Sequence, residues 1–547
     1  MFNKILFLFG GSFILLAIFA NQLGIDNDVG WGRGRVLLLE TGGAFALFAT
    51  LLFVFQKQVE NLQTRISNFS KVIERERKVQ IIVVLVSILI ACTYVWILNP
   101  SERQTDLTYN FFGELAKGFK QGNLYIPQAP SEALLALSNP YDTIQRKQSG
   151  IEDFPWDVSL YKGRFYLYWG PTPALLLLPF SNEMLSKIED FQLTAVFAIG
   201  LFIYSVLIVT SFWQSFKKAP LWVLVATILV LGFPATITTM LKRAEIHEVA
   251  VFASQFFFIG GCYWDYSAIK EGTPPTWKYV LAGIHWALAI GARAVILPAV
   301  IIGVFILAWP FLSGFHTNWK KHLGYLLAIG LPVALGGISL AWYNYTRFGS
   351  IFEFGIRYQL TNVDYTQFNS SFGFQYFIQN LKVYFLYPIN FKTRFPFISL
   401  SEYKAATNLI SGLLYISPLI TLLLFPLFRL LTDTNKKPIL PACQYKLLLL
   451  FTGATLASAL IILNFFFITI RYTLDFLPSA LLLVALSFGM EFDTSKENRL
   501  FIGILSFFFV ILSFVNITTG ILLAVPKSGV DFMLNLLNDI SKITGLK

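Results

Sequence analysis

Apolar runs of about 20 residues recur from one end of the chain to the other, each long enough to carry a helix across the roughly 30 Å of hydrocarbon in a bilayer. Lipid offers no hydrogen-bond partner to a backbone N–H or C=O, so a spanning segment must be a helix or a strand of a closed barrel. Barrel strands alternate apolar and polar residues between turn signals, and these runs do not. The chain therefore reads as an all-α polytopic membrane protein. Its charged fraction, 13% of 547 residues, is about half the roughly 25% of a soluble domain. A net charge of +11 would suit a nucleic acid, but the Lys and Arg residues mostly fall in short loops, where the positive-inside bias puts them. The charge is read as topology, and no nucleic-acid partner is expected. Cys92, Cys262 and Cys443 show no CxxC or paired spacing, so neither a disulfide framework nor a zinc site is indicated.

The runs predict about thirteen transmembrane helices, near 5–21, 36–55, 80–98, 191–212, 220–239, 249–266, 277–293, 297–312, 323–342, 407–430, 446–468, 476–492 and 500–523. The run from Ile5 to Phe19 has no small-residue cleavage site after it and is taken as the first span. A basic connector with Lys57, Arg65, Lys71, Arg75, Arg77 and Lys78 places residues 57–78 on the cytoplasmic side. The next span then delivers the long polar stretch 99–170 to the outer face. After it, Trp169 to Phe180 is apolar but broken by Pro171, Pro173 and Pro179. A full crossing there would put Lys217/Lys218 and Lys320/Lys321 outside, so it is read as a dip into the membrane. Three regions follow: two extra spans with the connector (1–79), a core (80–492) with outer loops 99–170 and 343–406 that carry short amphipathic helices, and a last span with an amphipathic tail (493–547).

Both outer loops mix carboxylates with aromatic rings, which suits a sugar whose hydroxyl must be oriented and whose apolar face must be covered. Folded linkers with interfacial aromatics look the same in composition. Basic groups collect at the same face: Lys242 and Arg243 in KRAEIHE, Arg293 in GARAVILP, Arg347 and Arg357 at the start of the second loop, and Arg471 in RYTLD. Guanidinium and ammonium donors satisfy phosphate oxygens where water is scarce, so this ring suits an anionic lipid headgroup. Arg293 lies between spans and is costly as an idle charge, whereas Lys242, Arg243 and Arg471 also fit simple snorkelling. His247 with Glu248, Trp156 with Asp157, Tyr168, Tyr358 and Asp475 complete the candidate substrate-binding set. For Trp156 and Asp157 loop packing is the favoured reading. A single His with no spaced partner is weak evidence for a metal.

The segments TDLTYNFFGELAKGFKQGNLYI, WDVSLYKGRFYLYWGPTPALLLLPF, HEVAVFASQFFF, NYTRFGSIFEFGIRYQL and RYTLDFLP carry a resemblance. In their order the chain resembles the C-type membrane glycosyltransferases, the superfamily of protein O-mannosyltransferases and lipid A aminoarabinose transferases, over roughly residues 80–490. The resemblance implies an enzyme of the bacterial inner membrane that moves a sugar from a polyprenyl-phosphate donor to a glycan, lipid or protein acceptor at the outer face, usually with inversion. It implies that an acidic residue early in the first loop is the catalytic base, which is Asp106 here, and that a basic residue before a proline holds the donor phosphate, which matches Arg293 with Pro298. The family often shows two adjacent acids in this loop. Here Leu107 follows Asp106, leaving open whether Asp106 works alone or with Glu114 and weakening the case for a divalent metal cofactor.

Two other classes share the oily body. A flippase or transporter of lipid-linked sugars needs charged groups at mid-span, and Glu40 is one of few. A polysaccharide ligase or polymerase is expected to carry its main outer loop late in the chain, and here the first is the longest.

Overall fold

The computed structural model describes residues 2–19, 35, 39, 42–43, 46, 75–98, 110–216, 219–271, 274–313, 319–367, 372–403, 408–424, 442–494, 499–526, 528–531 and 533. Asp106, Lys217, most of the 36–55 span and most of the basic connector lie outside them. The chain divides into two compact units, Met1–Val84 and Leu85–Lys547. In the first, helix α1 (Phe2–Phe19) is mostly apolar from Ile5 onward. All that follows concerns the second.

Among the described residues, eight helical stretches are long and apolar enough to cross a membrane: α2 (Arg77–Ile97), α3 (Asp190–Trp213), α4 (Leu221–Lys242), α5 (Ile246–Lys270), α7 (Ala294–Leu312), α8 (Trp319–Phe348), α9 (Cys443–Leu463) and α11 (Leu500–Ala524). Two shorter apolar helices, α6 (Thr276–Ala292) and α10 (Leu477–Thr494), pack among them. The protein is an integral membrane protein built from helices. The expected thirteen spans reduce to eight of full length among these residues, and one expectation fails outright. Residues 408–424, read as part of a span at 407–430, form a strand (Asn408–Ile410), a single helical turn (Leu413–Ile416) and a 3-10 segment (Pro418–Leu423). Hydropathy alone promoted this run. Gly412 and Pro418 interrupt it, because proline removes a backbone donor and clashes with the preceding turn.

Prolines and glycines also set the other boundaries. Pro234 breaks α4 into Leu221–Gly232 and Ala235–Lys242, with Phe233 in a non-helical conformation, as the residue before proline prefers. Helix α8 runs through Phe348 and stops at Gly349, whose positive φ of 76° no β-carbon hinders. The loop region after α8 therefore begins six residues later than the expected Tyr343. Helix α5 is the centre of the bundle: 89% of its most apolar window is buried, against 17% for α11 and 22% for α8. It packs along α3 and α6, and α6 packs along α8. Residues 169–187 form two helices of five and six residues, Thr172–Leu176 and Asn182–Lys187, each too short to cross.

The two long loop regions, one ahead of Trp169 and one after α8, are joined by backbone pairing. Strands β1 (Ser159–Tyr161) and β2 (Arg164–Tyr166) form a hairpin closed by Lys162 and Gly163, both at positive φ, as a two-residue turn between right-twisted strands requires. The edge of β1 continues onto the second region: Asp157 N–H donates to Leu360 O at 3.1 Å, Leu360 N–H to Val158 O at 3.0 Å, and Ser159 bridges Gln359. Arg146, 2% exposed, donates to Pro140 O at 2.6 Å and to Thr361 O. Tyr141, Tyr161, Tyr166, Phe348 and Tyr358 pack as one aromatic group over this seam. The seam fixes where Asp157 points.

Candidate functional site

Asp157 sits at φ 63°, a left-handed conformation that Asp tolerates better than most residues. With its N–H tied to Leu360, this twist turns the carboxylate inward, and the residue is 8% exposed. There Oδ2 contacts His247 Nε2 directly and accepts the Tyr168 hydroxyl at 3.1 Å. His247 and Glu248 lie in the first turn of α5. Glu248 Oε2 accepts the Glu245 N–H at 3.0 Å, and the Glu245 side chain accepts the Glu248 N–H, a capping box that satisfies two orphan donors of the helix start.

Trp169 follows Tyr168 and lies edge-on to His247, ring centres 5.5 Å apart. The next residue brings the backbone against the end of α6: Gly170 N–H donates to Ala292 O at 3.3 Å, and a β-carbon on Gly170 would strike Gly291 O. Only glycine fits this approach. It sets Trp169 over Arg293, whose guanidinium is 5.2 Å from the ring centres of both Trp169 and Tyr472. Arg293 makes a bidentate pair with Asp475, Nε to Oδ1 at 2.9 Å and Nη2 to Oδ2 at 2.8 Å. Asp475 closes the 3-10 segment Ile470–Asp475, which also presents Arg471.

The electrostatics are those of a buried, densely charged cluster. Burial pushes the Tyr168 hydroxyl well above the usual tyrosine range and the Asp157 charge pushes it further, so Tyr168 keeps its proton and donates it. Burial draws Arg471 down, but Tyr472, Glu248, Tyr168 and Asp157 outweigh it and hold the guanidinium above its ordinary value. Three buried nitrogens have no hydrogen-bond partner among the described residues: Trp169 Nε1, His247 Nδ1 and Arg471 Nε. A buried polar nitrogen left unpaired costs about 1–3 kcal/mol, so three in one cluster are poised for a ligand.

Of the residues expected from sequence, the structure brings together Asp157, Tyr168, His247, Glu248, Arg293, Arg471 and Asp475. It commits Arg293 to Asp475, two residues that the sequence reading placed in different roles. The others lie apart. Glu114 pairs with Lys117 on its own short helix, Lys242 donates to Val525 O at 2.8 Å, and Arg243 is exposed and reaches Glu245 at 3.3 Å. Arg347 is a buried clamp, donating to Leu167 O and to Asn344 Oδ1 and stacking on Tyr343. Arg357 is exposed. Trp156 is 40% exposed and leans on Phe154, and Tyr358 belongs to the aromatic seam. Sequence reasoning missed Trp169, Tyr472 and Glu245 as members of the site. The signal was present, since each is next or close to a residue that was named.

No family model, no curated protein and no solved structure matches the chain.

Proposed function

We propose that the chain is a membrane glycosyltransferase that takes a sugar from a polyprenyl-phosphate donor and transfers it to a glycan, lipid or protein acceptor at the outer face, with inversion. The observation that carries this reading is the pair of unsatisfied buried donors, Trp169 Nε1 and Arg471 Nε, beside buried carboxylates at the ends of apolar helices. Donors of this kind suit phosphate oxygens, and helix ends hold them at the depth of a lipid headgroup. In this reading Arg471 contacts the donor phosphate, Trp169 covers the sugar or donates to it, and the Arg293–Asp475 pair holds Trp169 and Tyr472 in place. Asp106 takes the acceptor proton, on the resemblance described above.

The deciding experiment is a donor titration. A charge-assisted hydrogen bond contributes about 1.5–3 kcal/mol, so Arg471→Met should weaken binding of a polyprenyl-phosphate sugar to the purified protein by roughly 10- to 150-fold. Arg471→Lys keeps the charge but loses the planar fork and should fall between. Unchanged donor affinity in the Met variant would overturn the reading.

The proposed orientation has its own check. With residues 57–78 on the cytoplasmic side and 169–180 only dipping into the membrane, Ser131 and Asn362 face outward and Lys320 faces the cytoplasm, following the distribution of loop Lys and Arg. In intact cells a membrane-impermeant thiol reagent should label Ser131→Cys and Asn362→Cys, and label Lys320→Cys only after lysis. Labelling of Lys320→Cys in intact cells would invert the proposed topology.

A further inference from the structure

We propose that Glu245, His247 and Glu248 form a binding site for a divalent first-row metal ion of the Mn²⁺ or Zn²⁺ class. One ligand atom from each lies within 4.8 Å of the other two. Ligand atoms about 2.1 Å from a shared ion stand roughly 3–4 Å apart, so a small side-chain adjustment closes the set around a metal. The competing account makes Glu245 and Glu248 a helix cap and nothing more. That account gives both carboxylates a use and leaves His247 unexplained, because its Nδ1 is buried with no partner among the described residues.

Asp157 supplies the missing piece. With its carboxylate against Nε2, the proton of a neutral imidazole resides on Nε2 and the lone pair on Nδ1, the tautomer a metal requires. A carboxylate behind a histidine is the usual outer partner of a metal ligand, fixing its ring and raising its basicity. One imidazole nitrogen with two carboxylates selects a borderline ion, since Mg²⁺ and Ca²⁺ favour all-oxygen sites. Glu245, with a side chain 23% exposed, leaves the ion a way in from the surface.

The test needs no donor lipid, so its outcome is independent of the proposed sugar transfer. The full-length protein is incubated with Mn²⁺ or Zn²⁺, desalted, and its metal counted by mass spectrometry. About one ion per chain is expected to remain, with a tenfold excess of Mg²⁺ failing to displace it. Glu245→Gln and Glu248→Gln keep an oxygen that caps the helix, since Gln serves in a capping box as Glu does. They should nevertheless lose the ion, as should His247→Gln, and Asp157→Asn should weaken binding about 10- to 100-fold. Retention of no ion by the parental protein, or equal retention by the two glutamine variants, would overturn the proposal. Should a variant at a buried position fail to fold, the partly exposed Glu245→Gln still decides.

Discussion

Arg293→Met should destabilise the protein by about 3–5 kcal/mol, the cost of breaking a buried ion pair from one side. Asp475 is 3% exposed and Arg293 is 7% exposed, so removing the guanidinium strands a carboxylate where water cannot reach it. The bidentate geometry raises the stake, because both Asp475 oxygens receive a donor from Arg293. Asp475→Leu should be as damaging in reverse. The double variant Arg293→Met with Asp475→Leu should recover most of the loss, because well-packed apolar side chains in place of a buried pair are often neutral or stabilising. Arg293→Lys keeps a charge but cannot present two parallel N–H groups and should sit between wild type and Met. Thermal unfolding of detergent-purified protein reads all four. A Met variant as stable as the parent would mean that the pair carries no structural load, and Arg293 would return as a candidate for direct phosphate contact.

That outcome bears on what was legible in the sequence. The membrane class and most helices followed from apolar runs, since lipid leaves the backbone no alternative. The run at 407–430 misled because hydropathy counts side chains and overlooks the backbone consequences of Gly412 and Pro418. Charged residues at span ends were visible as a set, but their pairing was not. Nothing local in GARAVILP and RYTLD says that Arg293 and Asp475, 182 residues apart, share two hydrogen bonds. Asp157 was named, but its contacts were hidden for a different reason. Its role depends on a left-handed backbone and on strand pairing between the two loop regions, and long-range pairing leaves no periodic trace in either segment. Trp169 was read as the start of an apolar run, whereas the close approach of Gly170 to the end of α6 makes it a wall of the site.

Asp106→Asn should lower the rate of sugar transfer by about 10²–10⁴ while leaving donor affinity nearly intact, as expected when a general base is removed from an inverting transfer. In the proposed reading the base acts on the acceptor hydroxyl and not on the phosphate, so only the turnover step should suffer. Asn keeps the shape of the side chain and removes its basicity. Asp157→Asn is the informative comparison, because Asp157 is the described outer-loop carboxylate that touches His247 and Tyr168. Losing its charge should release the imidazole and leave the Tyr168 hydroxyl less well held, so donor binding, metal retention and thermal stability should fall together with turnover. Glu114→Gln is the control. Glu114 pairs with Lys117 at a partly exposed helix surface, where ion pairs contribute little, and its rate should stay within about threefold of the parent. The decisive reading is the split between binding and turnover in single-turnover assays with donor prebound. If Asp106→Asn turns over at the parental rate while Asp157→Asn binds donor normally and fails to turn over, the base is Asp157 and its contact with His247 orients it for that task.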